Sequence, residues 1–234
     1  MTHLKNTILF LGLIISFNTY SQRDKVEYLS NFDETELRWG FYLGLNYNDY
    51  TISYKAPEQY PDAYIETDPK MGFNIGLIGD LRLHKNINLR LEPGLMTNSK
   101  TLYFRHLGTA MDSVREANGT FLHIPLMIQF STNRIHNIRP YVVGGIAYDY
   151  NFASNFNNPD DNYSGEFRLQ KSNFMYELGV GMDFYFYYFK FSPSIRGVFA
   201  LNKELKDDDT ANSPWTKPVD YFGTRGVFVK FTFQ

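Results

Sequence analysis

Five histidines, scattered hydroxyls and several acidic clusters are the side chains through which this sequence could do acid–base, nucleophilic or metal chemistry. Their spacing offers little. His3 falls near the start, His84 and His136 sit at short polar breaks, and His123 lies mid-way along an alternating apolar stretch. None stands at metal-ligand spacing from another. His106 shares one segment with Asp112 and Ser113, so an imidazole, a carboxylate and a hydroxyl lie close in sequence there. One imidazole among common loop residues is thin support for a catalytic group. There is no G-x-S-x-G, no glycine-rich phosphate loop and no paired-carboxylate signature. Asp207, Asp208 and Asp209 could hold calcium, as could Glu58, Asp62, Glu66 and Asp68 or Asp160, Asp161 and Glu166. Carboxylates in polar segments are more simply solvated surface. No catalytic, cofactor-binding or metal-ligating residue is therefore expected.

The elements that would position these groups are easier to read. From Arg38 onward, eight stretches alternate apolar with small or polar residues, at about 38–52, 71–84, 87–104, 119–132, 139–153, 170–186, 189–203 and 220–233. Between them the gaps run about 18, 2, 14, 6, 16, 2 and 16 residues, long and short in turn. A soluble sandwich has no reason to place every long loop at one end. A membrane barrel has short turns on the periplasmic side and long loops outside. Strands this long also exceed the roughly 5–6 residues usual in soluble sheets, whereas a tilted spanning strand needs about 9–11. The expected fold is all-β: an eight-stranded antiparallel transmembrane β-barrel over 38–234, with short periplasmic turns and long extracellular loops.

Composition agrees. Aromatic residues make up 18%, with 21 Phe and 18 Tyr against 2 Trp, which suits interfacial girdles. Tyr47, Tyr50, Tyr54, Tyr60 and Tyr64 with Tyr148, Tyr150 and Phe152 are expected in the upper ring, and the run Phe184–Phe189 in the lower. Mean hydropathy is −0.36, as expected when half of each strand faces a polar lumen. A formal charge of −2 gives no nucleic-acid footprint. The absence of cysteine excludes disulfides and thiol chemistry. Lys5, the apolar run Ile8–Ile15, and Thr19 and Ser21 as small residues at −3 and −1 read as a signal peptide, 1–21, cleaved after Ser21. Residues 22–37 are polar and mixed in charge, and a mobile periplasmic lead-in is expected there.

One face of each strand is apolar; the other carries glycine, small polar residues and charge. Period-two parity assigns Arg38, Arg82, Arg90, Arg139, Lys190, Arg196 and Lys230 to the lumen, with Asp80, Glu92, Asp149, Glu177 and Asp183. An eight-stranded barrel is just wide enough for side chains to fill, so these charges are expected to pair into a plug. The chain ends in an alternating strand with Val227, Val229, Phe231 and Phe233 on one face. It looks like the assembly signal of outer-membrane proteins, departing from it at Gln234.

The stretch Phe121–Ile146 resembles the middle of small outer-membrane barrels of Bacteroidota, with an aliphatic-Pro-Leu strand followed by Arg139-Pro140-Tyr141. The segments Gly76–Gly94, Asp112–Arg115 and Phe189–Arg196 together resemble the PorT family, also called SprT. The resemblance implies an outer-membrane component needed for type IX protein secretion and gliding motility, with other components of that machinery and outer-membrane lipid as partners. That family has no established active site, so the resemblance assigns no functional residue. The alternatives are a small passive channel, a generic structural barrel, and a rim enzyme acting on lipid or peptide.

Overall fold

The computed structural model describes residues 26–55, 64–104, 113–152, 169–206 and 216–234. The segment assigned to a signal peptide lies outside them. Ten β-strands follow a short 3-10 turn at Phe32–Glu34: β1 (Leu37–Tyr54), β2 (Ile65–Pro69), β3 (Met71–His84), β4 (Ile87–Leu91), β5 (Gly94–Phe104), β6 (Val114–Ser131), β7 (Ile138–Asn151), β8 (Ser172–Tyr185), β9 (Lys190–Ala200) and β10 (Val219–Phe233).

Ten strands make eight staves. Between β4 and β5, Glu92 and Pro93 leave the ladder because Pro93 has no N–H to give. The stave is still continuous: Leu77 N donates to Pro93 O and Glu92 N to Pro125 O. Between β2 and β3, Lys70 alone is out of the ladder, and its N–H reaches Ser99 O. Every pairing is antiparallel, and β1 pairs with both β10 and β3, which closes the ring. Closure is what lets a sheet sit in lipid, since it leaves no unpaired edge.

Two staves begin earlier than their alternation suggests, at Ile65 and Val114. The segments 85–86, 132–137 and 186–189 lie at the end shared by Leu37 and Phe233; the strand ends that flank the longer connections, Tyr54 and Ile65, Phe104 and Val114, Asn151 and Ser172, and Ala200 and Val219, lie at the other. Short turns are thus periplasmic and long connections extracellular.

Parity holds on the long staves. Leu43, Leu45, Ile75, Leu77, Leu126, Ile128, Val142, Ile146, Leu178, Val180, Ile195 and Val227 face outward as a lipid-facing band. At its lower edge Phe191 stacks on Phe231 at 6.2 Å between ring centroids, and Phe186 on Phe189 at 5.1 Å. The upper ring holds Tyr47, Tyr64 and Phe152, all exposed, but not Tyr50. Tyr50 shares the parity of Arg38 and Tyr42 and is buried inside the mouth; Tyr60 lies outside the described residues.

Glycine matters most where a ring must cross the lumen. Tyr42 lies over Gly76 and Gly94, and a Cβ at Gly76 would stand 2.7 Å from both its Cε1 and the Gly94 Cα. With both glycines in place, the Tyr42 hydroxyl reaches inward and donates to Glu92 O at 3.3 Å.

The orientation can be checked without background, because the chain has no native cysteine. Asp68→Cys, at the exposed position of β2, should react with an impermeant maleimide on intact cells, whereas Tyr188→Cys in the 186–189 turn should react only after permeabilisation. The opposite pattern would invert the topology.

Candidate functional site: the lumen and its two mouths

Among the described residues, the five acidic side chains that strand parity turns inward each meet a basic partner. Asp80 lies between Arg38 (2.9 Å) and Arg90 (3.0 Å). The cross-strand registers Arg38↔Asp80 and Asp80↔Arg90 place these three side by side. Glu92 takes the Arg196 guanidinium through both oxygens, at 2.7 and 2.8 Å, and Lys230 at 3.2 Å. Glu177 sits 3.4 Å from Arg196 and 2.8 Å from His123 Nε2, the latter without hydrogen-bond alignment. His123 Nδ1 lies 2.5 Å from Asp149. Asp183 accepts from Ser192 at 2.5 Å and lies 3.9 Å from Lys190. Aromatic faces take part of the remaining positive charge: Arg90 over Tyr141 and Lys230 over Tyr42, at 5.2 and 4.6 Å.

All but one of the charges that parity assigns to the lumen are buried there. The exception is Arg82, which sits half-buried at the periplasmic mouth and donates to Glu34 O at 3.1 Å. Truncating one partner of such a buried pair is costly, because the charge left behind has neither water nor a counter-ion.

His123 and Asp149 resemble the acid–base half of a hydrolytic triad in composition, yet His123 is 1% exposed and packs edge-on against Phe228 at 5.6 Å. A general base must reach a substrate proton, and this one is walled in by its own barrel. His106 and Asp112 lie outside the described residues. Ser113 is half-buried, with its backbone oxygen accepting from Phe104 N. The acidic segments 160–166 and 207–209 also lie outside them. Among the described residues, no group of three or more His, Asp or Glu side chains is arranged to hold a metal.

Above the ionic layer the extracellular mouth is filled by an apolar cluster: Tyr50, Ile65, Leu102, Phe104, Leu169 and Phe222 are at its centre. Lys100 enters it from below, its ammonium 3.6 Å from the Tyr50 ring centroid. Beyond β9, buried Glu204 accepts from Thr224 N and Oγ1 at 3.0 and 2.8 Å, and burial raises its pKa. Lys100, Arg115 and Glu204 escape a parity argument confined to mid-strand.

The periplasmic mouth is closed differently. Residues 26–36 do not hang free, as polarity alone suggests, but lie across the barrel end with Asp33 aimed inward. Asp33 accepts from Tyr185 Oη at 2.7 Å and pairs with Arg139 at 3.2 Å. A polar cavity of about 350 Å³ remains beside the segment, lined by Glu27, Asp33, Arg82, Lys85, Arg134 and Arg139 among others. A wider groove on the outer wall, about 900 Å³, runs past Phe130, Val142, Val180, Ile195 and Phe231. It faces lipid.

A closed antiparallel ring with a lipid-facing apolar band, aromatic edges and an ion-paired interior defines an outer-membrane β-barrel protein. The chain belongs to the family described as outer membrane protein beta-barrel domain, whose model matches residues 20–206. No curated protein matches the sequence. Among solved structures it is similar to the outer membrane protein OprG from Pseudomonas aeruginosa, at 13% identity over 84% of this chain and 93% of that one, with a TM-score of 0.45. It is similar to Neisserial surface protein A at 7% identity, covering 85% and 98% of the two chains, with a TM-score of 0.46. A third similar structure is the outer membrane enzyme PagL, at 13% identity and 81% and 97% coverage, TM-score 0.37.

The ionic layer predicts an order of effects. Glu92→Ala, which leaves Arg196 short of its bidentate partner and Lys230 unpaired, should destabilise the barrel by about 3–5 kcal/mol. Leu126→Ala, on the lipid-facing wall, should cost less because acyl chains refill the space. The check is the temperature at which the detergent-solubilised barrel loses its heat-modifiable gel shift; equal shifts would reject the lumen assignment.

Proposed function

We propose that this barrel is a non-enzymatic outer-membrane component required for type IX protein secretion and gliding motility, working with other components of that machinery. The supporting observation is where the resembling residues fall. Gly76–Gly94 supplies Asp80, Arg90 and Glu92, and Phe189–Arg196 supplies Lys190, Ser192 and Arg196, all of them members of the lumen network. Two of the three segments that carry the likeness to PorT thus contribute to the interior network.

A scaffold role also agrees with the interior. Solutes need a continuous aqueous path. Here an ion-paired layer, an apolar upper cluster and the docked segment 26–36 lie one above another along the axis. The protein acts through its surfaces: long extracellular connections on a rigid frame, which is where interaction usually resides, and the periplasmic end. A signal peptide, 1–21, directs it to the periplasm and is cleaved after Ser21 before insertion.

The test is a deletion strain scored for secreted cargo, in the medium and on the cell surface, and for gliding. Loss of both, restored by the wild-type chain, is expected. The purified barrel in planar bilayers should show no stepwise conductance. Normal export in the deletion strain would remove the secretion reading, and clear single-channel steps would favour a passive channel instead.

A further inference from the structure

The periplasmic mouth holds residues 26–36 in the way a receptor holds a peptide. Barrel donors capture the backbone carbonyls of the segment one after another. Asn137 Nδ2 donates to Val26 O at 2.9 Å, while its Oδ1 accepts from Tyr28 N at 2.9 Å. The Arg134 guanidinium donates to Tyr28 O and to Leu29 O. Arg38 donates to Phe32 O (3.5 Å), Arg82 Nη1 to Glu34 O (3.1 Å), and the Arg82 backbone N–H to Glu36 O (2.7 Å). Such contacts read backbone, not sequence.

Two side chains supply the selectivity. The Asp33 carboxylate meets Tyr185 Oη and Arg139, with Arg38 at 3.8 Å. The Phe32 ring lies under two cations, 5.5 Å from the Arg38 guanidinium carbon and 5.1 Å from Lys190 Nζ, and edge-on to Tyr185. The receiving side chains are built in: Arg38, Arg139, Tyr185 and Lys190 are all at least 95% buried. Backbone capture for affinity, with pockets for selected side chains, is the usual division of labour in peptide recognition.

The occupant is held under strain. Two non-glycine residues with positive φ among those described are Leu29 (51°) and His136 (56°). One lies in the segment, the other in the 132–137 turn that receives it. Both carbonyls are held by Arg134, whose Nε donates to His136 O and whose Nη1 donates to Leu29 O. Left-handed backbone at such residues costs free energy that the surrounding contacts must offset. The segment's other side chains stay largely in water; Glu27, Ser30, Asn31, Glu34 and Thr35 are exposed.

Charge complementarity points to the same class of ligand. Arg38, Lys85, Arg134, Arg139 and Lys190 gather at this end, where the barrel's own acids are Asp183 and Asp80, and Asp80 is already shared between Arg38 and Arg90. The segment Val26–Glu36 brings Glu27, Asp33, Glu34 and Glu36 and no basic residue.

We propose that the periplasmic mouth is a binding site for an acidic peptide carrying an adjacent aromatic and carboxylate, filled in this state by Phe32 and Asp33 of the same chain. A partner segment of that chemistry, presented from the periplasm, exchanges with the tethered one. The exchange is independent of whether the barrel serves export.

The probe is a synthetic fluorescent peptide with the sequence of residues 26–36, added to the purified full-length protein in detergent. Wild type should bind it weakly, because a short tether keeps the resident segment at millimolar effective concentration. Phe32→Ala/Asp33→Ala in the chain should raise affinity for the probe by about tenfold or more, since the resident can no longer fill the site. A probe whose aspartate is replaced by asparagine should bind that variant at least about tenfold more weakly, through loss of a charge-assisted bond. Arg139→Gln added to the variant should weaken the probe equally, the heat-modifiable shift confirming a folded barrel. Equal, weak probe binding by wild type and the double variant, or binding indifferent to the probe's aspartate, would overturn the site and leave residues 26–36 a fixed plug.

Discussion

Everything in this protein follows from the ring closing at β1. That strand hydrogen-bonds to β10 along one edge and, from Leu37 to Tyr47, to β3 along the other, which closes the ring over its lower and middle part. Closure at eight staves fixes a narrow interior. A narrow interior cannot be left as a water column, nor filled with unpaired charge at tolerable cost. The inward positions must then be either small or mutually satisfied. Gly76 and Gly94 make the first choice, giving Tyr42 room to cross. Glu92, Arg196, Lys230, Glu177, His123 and Asp149 make the second, as a continuous series of contacts linking β5's approach to β10, β9, β8, β6 and β7. Three of these contacts, Glu92–Arg196, Glu92–Lys230 and Glu177–His123, tie staves that are not neighbours in the ring, a restraint the ladder cannot supply.

How much of this was legible beforehand depends on range. Parity within a strand is local information, and it placed Asp80, Glu92, Asp149, Glu177 and Asp183 inside, together with their basic counterparts. Pro93 has no N–H and must interrupt a ladder, but only the fold shows that Leu77 N donates to its carbonyl and Glu92 N to Pro125 O across the gap. Stave ends were harder. Ile65–Pro69 and Val114–Ala117 show little apolar alternation, and they are strands because β5 runs between them and offers a partner to each. The residue type of Tyr50 suggests the outer ring, whereas its parity with Tyr42 turns it inward.

The two mouths were least legible, because each is made by residues far apart in sequence. The upper cluster joins Tyr50 of β1 to Leu102 of β5, Leu169 and Leu205 from the connections, and Phe222 of β10. Asp33 meets Tyr185 across 152 residues, and Tyr28 meets Asn137 across 109. No periodicity signals such contacts. A polar, mixed-charge segment reads as solvated lead-in until the basic mouth that receives it is seen. Four acids without a base in residues 26–36, set against basic side chains near the short turns, was the signal available in the sequence.

The difference between the mouths bears on what each can do. The upper seal is apolar and packed from several connections at once, so opening it would expose a core. The lower seal is one short segment held by backbone carbonyls, one carboxylate and one ring, with left-handed backbone on both sides of the contact. Water and salt can compete for each of those contacts far better than for buried apolar area. The centre of the ionic layer, Glu92 with Arg196 and Lys230, takes its partners from barrel strands alone, whereas Arg139 and Arg38 at its lower edge also meet Asp33 of the seal. A barrel built this way can exchange its lower occupant without losing its frame. That places the exchangeable part of the molecule at the periplasmic end, and leaves the packed upper cluster as the fixed end of the frame.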